Sequence, residues 1–229
     1  MNPTDDWHTQ ADAYLAYFQD NPNRVSTTQV FPKIVEHVGN LKSLRVLDFG
    51  CGQGRFARML ADAGANVTAY DSSSAEIANA RALDDNRNIH YVDNQEELHD
   101  VEPFDCILCF MVLLCNEVDA ADDLLGTLHS LAKPGALIAL ANTDTSTIGR
   151  RFPDFYSTPP EHPTRGASYQ SNIPTSAGLI QIVDHYYSPE HIRDMLNHSG
   201  FDVVIEDLTT EPFALHIGKR AEAASAVTG

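Results

Sequence analysis

Basic residues are scarce in this chain: 15 lysines and arginines stand against 32 aspartates and glutamates in 229 residues, a formal net charge of −17. A nucleic-acid partner needs cationic side chains to replace condensed counterions, so that partner class is excluded, and anionic membrane surfaces are disfavoured for the same reason. Long apolar runs are also missing. The stretch from Cys106 to Cys115 is strand-like in length, well short of the ~18–20 residues that span a bilayer. The first residues carry neither a basic segment nor an apolar one, so no secretory signal is expected. Cysteine is rare, at positions 51, 106, 109 and 115. Cys106 and Cys109 fall in an apolar strand pattern, where residues three apart point to opposite faces. With no second pair and no ligand-spaced histidine, neither a metal site nor a redox dithiol is expected, and reduced thiols in a cytoplasmic protein are. The remaining composition, 43% hydrophobic and 21% charged, is that of one globular domain with at most a small elaboration.

What the chain does have is regular alternation. Residues 1–40 read as a polar helical cap, with Trp7, Ala11, Tyr14 and Phe18 on one face and a second helical pattern from about Thr28. From Arg45 strands and helices alternate. Strands are expected at Arg45–Phe49, Asn66–Asp71, Asn88–Asp93, Phe104–Leu114 and Ala136–Asn142, and helices at Arg55–Ala63, Ser73–Leu83 and Asp119–Ala132. The last helix should turn Leu124, Leu128 and Leu131 inward. Strands nearly continuous in apolar residues imply a parallel sheet covered on both faces. Residues 143–180, rich in Thr, Ser, Pro and Gly, break the rhythm and are expected to be a lid or binding loop. Ser188 and Pro189 then start a helix that Gly200 ends, and Phe201–Leu208 and Phe213–Lys219 should form an antiparallel pair. The expected organisation is therefore a cap (1–40), a core (41–142), a substrate lid (143–187), a completing helix and strand pair (188–220) and a flexible tail (221–229).

The richest stretch is Val46 to Phe56, in which a strand enters three glycines at 50, 52 and 54 and then a helix. Such a loop lets a ligand approach the backbone near a helix N-terminus. The spacing is GxGxG, where a dinucleotide fingerprint has GxGxxG. Asp48, two residues before the first glycine, would repel a pyrophosphate and welcome an ammonium. Asp71 ends the second strand, where a carboxylate can accept both ribose hydroxyls. Asp93 and Asn94 end the third, placed to read an adenine edge. A ligand with an ammonium, a ribose and an adenine but no phosphate is S-adenosylmethionine.

On these residues the chain resembles the class I S-adenosylmethionine-dependent methyltransferases of the small-molecule type. The matching segments are Val46–Phe56, Val67–Asp71 with Ser73, Ile77 and Ala80, His90–Leu98, Phe104–Leu108 and Leu131–Gly135, within residues 45–142. The resemblance implies a Rossmann-like α/β fold with a seven-stranded sheet, order 3-2-1-4-5-7-6, strand seven antiparallel and helices on both faces. It implies S-adenosylmethionine as cofactor. It also implies a binding set of Asp48, Gly50, Cys51, Gly52, Gly54, Asp71, Ser72, Asp93, Asn94, Phe110 and Met111, with Arg24 available for the methionine carboxylate. Many members carry histidines just after strand four, where this chain has Leu113, Leu114 and Cys115, so any base must come from elsewhere.

Methyl transfer needs alignment, exclusion of water and removal of a proton. The candidates are Tyr14, near the expected methyl position, Asn142 at the end of strand five, and His185 and Tyr186 before the last helix, with His185 suited to a base by its near-neutral pKa. The expected function is methylation of a small molecule by a monomer or homodimer. A second possibility is intramolecular cyclisation at the cofactor's γ-carbon, giving a cyclic amino acid such as azetidine-2-carboxylate and methylthioadenosine. An NAD-dependent oxidoreductase and a non-catalytic cofactor sensor are more remote alternatives.

Overall fold

The structure, a computed structural model, describes residues 3–222, with side chains from residue 10 onward. The Trp7 side chain and the tail beyond Glu222 lie outside the described residues. Helix α1 (Pro3–Asp20) is followed by a π-turn at Ser26–Val30 and by α2 (Phe31–Val38). Then come β1 (Arg45–Phe49), α3 (Arg55–Asp62), β2 (Asn66–Tyr70), α4 (Ser74–Ala82), β3 (His90–Val92), β4 (Phe104–Phe110), α5 (Val118–Leu131) and β5 (Ala132–Thr143). After an interlude of three strands, β6 (Tyr156–Thr158), β7 (Ser168–Thr175) and β8 (Gly178–His185), the chain ends in α6 (Pro189–His198), β9 (Phe201–Thr210) and β10 (Phe213–Arg220).

The main sheet has seven strands in the order β3-β2-β1-β4-β5-β10-β9. Neighbours from β3 to β5 are parallel, and β10 runs antiparallel to both β5 and β9. Renumbered within this sheet, that is the order 3-2-1-4-5-7-6 expected above. Strand alternation sends side chains to two cores. Leu47, Phe49, Ile107 and Cys109 join one, and Val46, Cys106 and Leu108 the other. Cys106 and Cys109 are thus on opposite faces, and all four cysteines are free. At the strands' starting ends Asp105 accepts from the Arg45 backbone N–H at 2.8 Å and from Lys133 Nζ at 2.6 Å, tying β1, β4 and β5 together. Leu125, Leu128 and Leu131 of α5 are buried against the first core, each worth about 1.5–3 kcal/mol of apolar burial. The inward stripe runs through Leu125; Leu124 is only partly buried.

Two expectations are corrected. Strand four ends at Phe110, because Met111 adopts φ +59° and donates its N–H to Ala141 O at 2.8 Å, after which Leu113–Cys115 form a 3-10 turn. The segment expected to be irregular contains a three-stranded antiparallel sheet, β6-β7-β8, with β7 and β8 paired from Ser168↔His185 to Thr175↔Gly178. Pro174 hid this strand from a pattern reading, since proline cannot donate to a ladder. It lies beyond the reach of β6, which pairs only with Gln170–Asn172, so one edge of β7 is open there.

Helix α1 lies against this small sheet. Tyr17, Ile173 and Ile180 form a third buried cluster, with Tyr14, Phe18, Phe155 and Ile182 packed on it. Two polar links pin the helix to the insert: Tyr17 OH donates to Asp154 at 3.0 Å, and Asp20 accepts from the Ser176 N–H at 2.8 Å. Sheet and helix together roof the carboxyl ends of β1, β2 and β4.

Candidate active site

Beneath that roof is a cavity of about 980 Å³, bounded by the glycine loop, the segment after β4, α1 and the inner face of β7 and β8. The loop is hooked to β2 by two backbone bonds, from Gly50 and Cys51 N–H to Tyr70 O at 2.8 and 2.9 Å. Gly50, at φ +75°, is packed so closely that a Cβ would fall 2.2 Å from Val112 Cγ2. Gly52, at φ +51°, is open: a Cβ there would meet only Glu76 Oε2, at 3.9 Å. The first glycine therefore serves protein packing and the second leaves space over the loop. Gly54 begins α3 and does not line the cavity.

Four carboxylates set the electrostatics. Asp48 is 1% exposed, and its Oδ2 has no hydrogen-bond partner among the described residues. Burial pushes its pKa from 3.8 up to about 7; an N–H from Ala57 and the charge of Arg58 oppose the rise and Asp71 adds to it. Asp71 is raised by burial, against two backbone bonds: Oδ2 accepts from Gly52 N–H at 2.8 Å and Oδ1 from Ser73 N–H at 2.9 Å. Both oxygens thus brace the loop, and only their remaining lone pairs are free for a ligand. Glu76 is buried, its Oε2 has no partner among the described residues, and burial, Asp71 and Asp12 push its pKa to about 8. Asp184, at the end of β8, is 5% exposed and raised by burial to about 7, with a hydrogen bond from Ser171 opposing.

The aromatic and cationic part comes from the N-terminal region. Tyr14 lies among Cys115, Asp184, Tyr17 and Glu76, and burial raises its pKa well above the ordinary value. Arg24 stacks on Phe18 and Tyr17, 4.0 and 4.6 Å from their ring centroids, and reaches Ser26 Oγ at 3.3 Å. Burial lowers its pKa, and its Nε has no partner among the described residues. Phe110 packs in a row with Phe56 at 4.9 Å and Phe213 at 5.3 Å.

Of the residues singled out from the sequence, Tyr14, Arg24, Asp48, Gly50, Cys51, Gly52, Asp71, Ser72, Phe110 and Met111 line the cavity. Six do not. Gly54 is one. Asp93 is exposed at the end of β3, and Asn94 uses its side chain to cap the next turn, accepting from Glu96 N–H at 3.1 Å; Gln95 reaches the wall instead. Asn142 is buried away from the cavity, which its neighbour Thr143 lines. His185 lies 3.3 Å from Leu114 O on the outer side of β8, and Tyr186 packs edge-on against His191. Sequence reading missed Asp184 and Glu76. Asp184 stands beside His185 on β8, within the segment whose composition predicts a lid or loop. Glu76 sits three residues after Ser73, in the spacing of a capping box. Ser73 Oγ accepts from Glu76 N–H at 3.3 Å, but Asp71 takes the return bond from Ser73 N–H and leaves Glu76 Oε2 without a partner among the described residues.

The model of a family described as "methyltransferase domain" matches residues 11–206. N-demethylindolmycin N-methyltransferase of Streptomyces griseus is 28% identical over 174 residues, covering 73% of each chain. Ubiquinone biosynthesis O-methyltransferase of Rickettsia canadensis is 31% identical over 131 residues; that match covers 56% of this chain and about half of the relative, 52%. Among solved structures, the CcbJ methyltransferase from Streptomyces caelestis superposes with a TM-score of 0.70 at 19% identity, covering 97% of this chain and all of that one. At that identity the likeness is one of fold.

Proposed function

The chain belongs to the methyltransferase-domain family, with S-adenosylmethionine as its cofactor, and we propose that it methylates a small-molecule acceptor held in the 980 Å³ cavity. The observation that carries the cofactor reading is Asp48. A buried carboxylate with one unpartnered oxygen costs free energy unless a cation or donor meets it. The methionine ammonium supplies both. The fit extends along the cavity: the open side of Gly52, Arg24 for the methionine carboxylate, the free lone pairs of Asp71 with Glu76 for ribose hydroxyls, and Phe110 and Met111 along the methionine chain. No phosphate is accommodated among these carboxylates.

When bound, the cofactor supplies an electrophilic methyl group on a sulfonium. The protein's own work is alignment and exclusion of water. Tyr14, Tyr17 and Phe18 form an aromatic wall on which Arg24 is stacked, and α1 with the β6-β7-β8 sheet closes the site from solvent. We assign residues 143–187 the role of substrate lid on this ground, with α1 as its partner. The absence of Lys or Arg beside Asp184 among the lining residues leaves its carboxylate available to hold a proton. Four free thiols support a cytoplasmic location; separately, no helix among the described residues is long and apolar enough to cross a membrane.

Product analysis by mass spectrometry tests the reading. S-adenosylhomocysteine should form only when an acceptor is present. Methylthioadenosine from protein and cofactor alone would refute methyl transfer in favour of cyclisation.

A further inference from the structure

The acceptor end of the cavity has a chemistry of its own. Its wall is the inner face of the small sheet, where alternation brings Ser171 and Ile173 of β7 and Ile182 and Asp184 of β8 to the cavity. Opposite stand Tyr14 and Tyr17, and to one side Phe152 and Phe155, stacked at 4.9 Å with planes 8° apart. On this aromatic and aliphatic surface Asp184 is 95% enclosed by the measure of its 5% exposure.

Asp184 has no cationic partner among the described residues. The only basic residues among the described lining residues are Arg24 and Arg55. Arg24 is stacked on Phe18 and bonded to Ser26, and Arg55 is bonded to Pro22 O at 2.5 Å. The titratable groups facing Asp184 are Tyr14 from α1, Cys115 after β4 and Tyr169 from β7, none of them cationic. Of the other acidic lining residues, Asp154 holds Tyr17, Asp20 holds Ser176, Asp123 of α5 is exposed to solvent, and Asp48, Asp71 and Glu76 border the glycine loop. A carboxylate enclosed by rings and aliphatic side chains is a receptor for a cation with an apolar body.

We infer that the acceptor is an amine that enters as its ammonium ion on an aromatic or aliphatic body, and that Asp184 binds this group and takes one of its protons. The inference rests on the methyltransferase reading above. Loss of that proton frees the nitrogen lone pair. The nitrogen then gains the methyl group through a new N–C bond and keeps its second and third protons; the old S–C pair stays on sulfur, and the removed proton stays on the Asp184 carboxylate until it passes to solvent. The chemistry disfavours other acceptors. An anionic nucleophile would be repelled by the carboxylate at low dielectric, and an alcohol's proton lies far beyond its reach, whereas alkylammonium groups have ordinary pKa values of about 10. Burial raises the pKa of Asp184 to about 7 in the ligand-free cavity; a bound ammonium favours the ionised carboxylate, which holds the cation and accepts the proton as the nitrogen's charge is lost.

The test is calorimetric, on full-length protein saturated with S-adenosylhomocysteine at pH 7.5. Phenethylamine, 2-phenylethanol and 3-phenylpropanoate are compared on wild type, Asp184→Asn and Asp184→Glu. The amine should bind at least tenfold more tightly than the alcohol, and the acid least. In Asp184→Asn the preference should fall below threefold, with S-adenosylhomocysteine affinity unchanged as a check on folding, and Asp184→Glu should restore part of it. With S-adenosylmethionine and any methylated amine, Asp184→Asn should lower kcat at least a hundredfold and leave the cofactor KM within threefold. No binding of the amine, equal binding of alcohol and amine, or a preference that survives in Asp184→Asn overturns the inference and leaves the methyltransferase reading intact. Failure of wild type to bind S-adenosylhomocysteine overturns that reading instead.

Discussion

Replacing Asp48 with asparagine isolates the electrostatics of the glycine loop. In the ligand-free protein burial holds the Asp48 pKa at about 7, against an ordinary 3.8. The folded-state pKa is raised, so the stability associated with this group is fully present below about pH 4 and is lost as pH rises through 7. The loss amounts to about 4 kcal/mol for a shift of this size. A ligand ammonium beside Oδ2 reverses the sign, because an adjacent cation favours the ionised carboxylate. Binding must then expel the proton that Asp48 carries below pH 7. The apparent affinity for S-adenosylhomocysteine should therefore rise about tenfold per pH unit up to 7 and level off, about thirtyfold between pH 5.5 and 8. Asp71, Arg58, Cys51 and Cys109 also face this carboxyl, and Glu76 titrates nearby at about 8, so the asparagine variant is the necessary control. It should lose most of the pH slope and weaken binding at pH 8 by about 1.5–3 kcal/mol, the worth of one charge-assisted hydrogen bond. Calorimetry in two buffers of different ionisation enthalpy counts the proton directly. A pH-independent affinity in wild type, or an unchanged slope in Asp48→Asn, would refute the placement of a cation at this oxygen.

Three further outcomes follow from the geometry. Gly50→Ala should destabilise the protein by several kcal/mol in chemical denaturation, since its Cβ would lie 2.2 Å from Val112 Cγ2 at φ +75°, and Val112→Ala should recover only the steric part. Leu128→Ala, fully buried on α5, should cost about 2–5 kcal/mol in the same measurement without altering cofactor affinity. His185→Ala should leave kcat within about threefold of wild type, because the ring faces Leu114 O and not the cavity; a hundredfold loss would restore histidine as the base.

Locally encoded features were legible in the sequence and features decided across space were not. The β1 strand, its glycine loop and the acidic end of β2 are written in consecutive residues, since positive φ at Gly50 and Gly52 and an apolar five-residue strand need no distant partner to specify them. The seven-stranded order followed from those segments through the resemblance, and the β1, α6 and β9 starts lie where capping and periodicity put them. Met111 is the counter-example. Nothing in the apolar run from Cys106 to Cys115 marks the place where the backbone turns, because the turn is held by Ala141 O on a neighbouring strand.

Two of the residues that do not line the cavity, Asn142 and His185, share one physical cause. Adjacent residues of a strand point to opposite faces, so choosing a functional side chain from a strand requires knowing which face is covered, and that depends on the packing partner. The pairs Asn142 and Thr143 on β5, and Asp184 and His185 on β8, each present one polar residue to the cavity and one away from it. Residue chemistry alone favoured histidine over aspartate, since an exposed carboxyl is a weak base and an imidazole titrates near neutrality. Burial removes that distinction: enclosed by α1 and β7, Asp184 rises to about 7. A base of histidine-like strength can therefore come from an aspartate once a roof is built over it. In this fold the roof comes from the insert and the N-terminal helix, so the elements least legible in the sequence are those that decide which neighbour can do the chemistry.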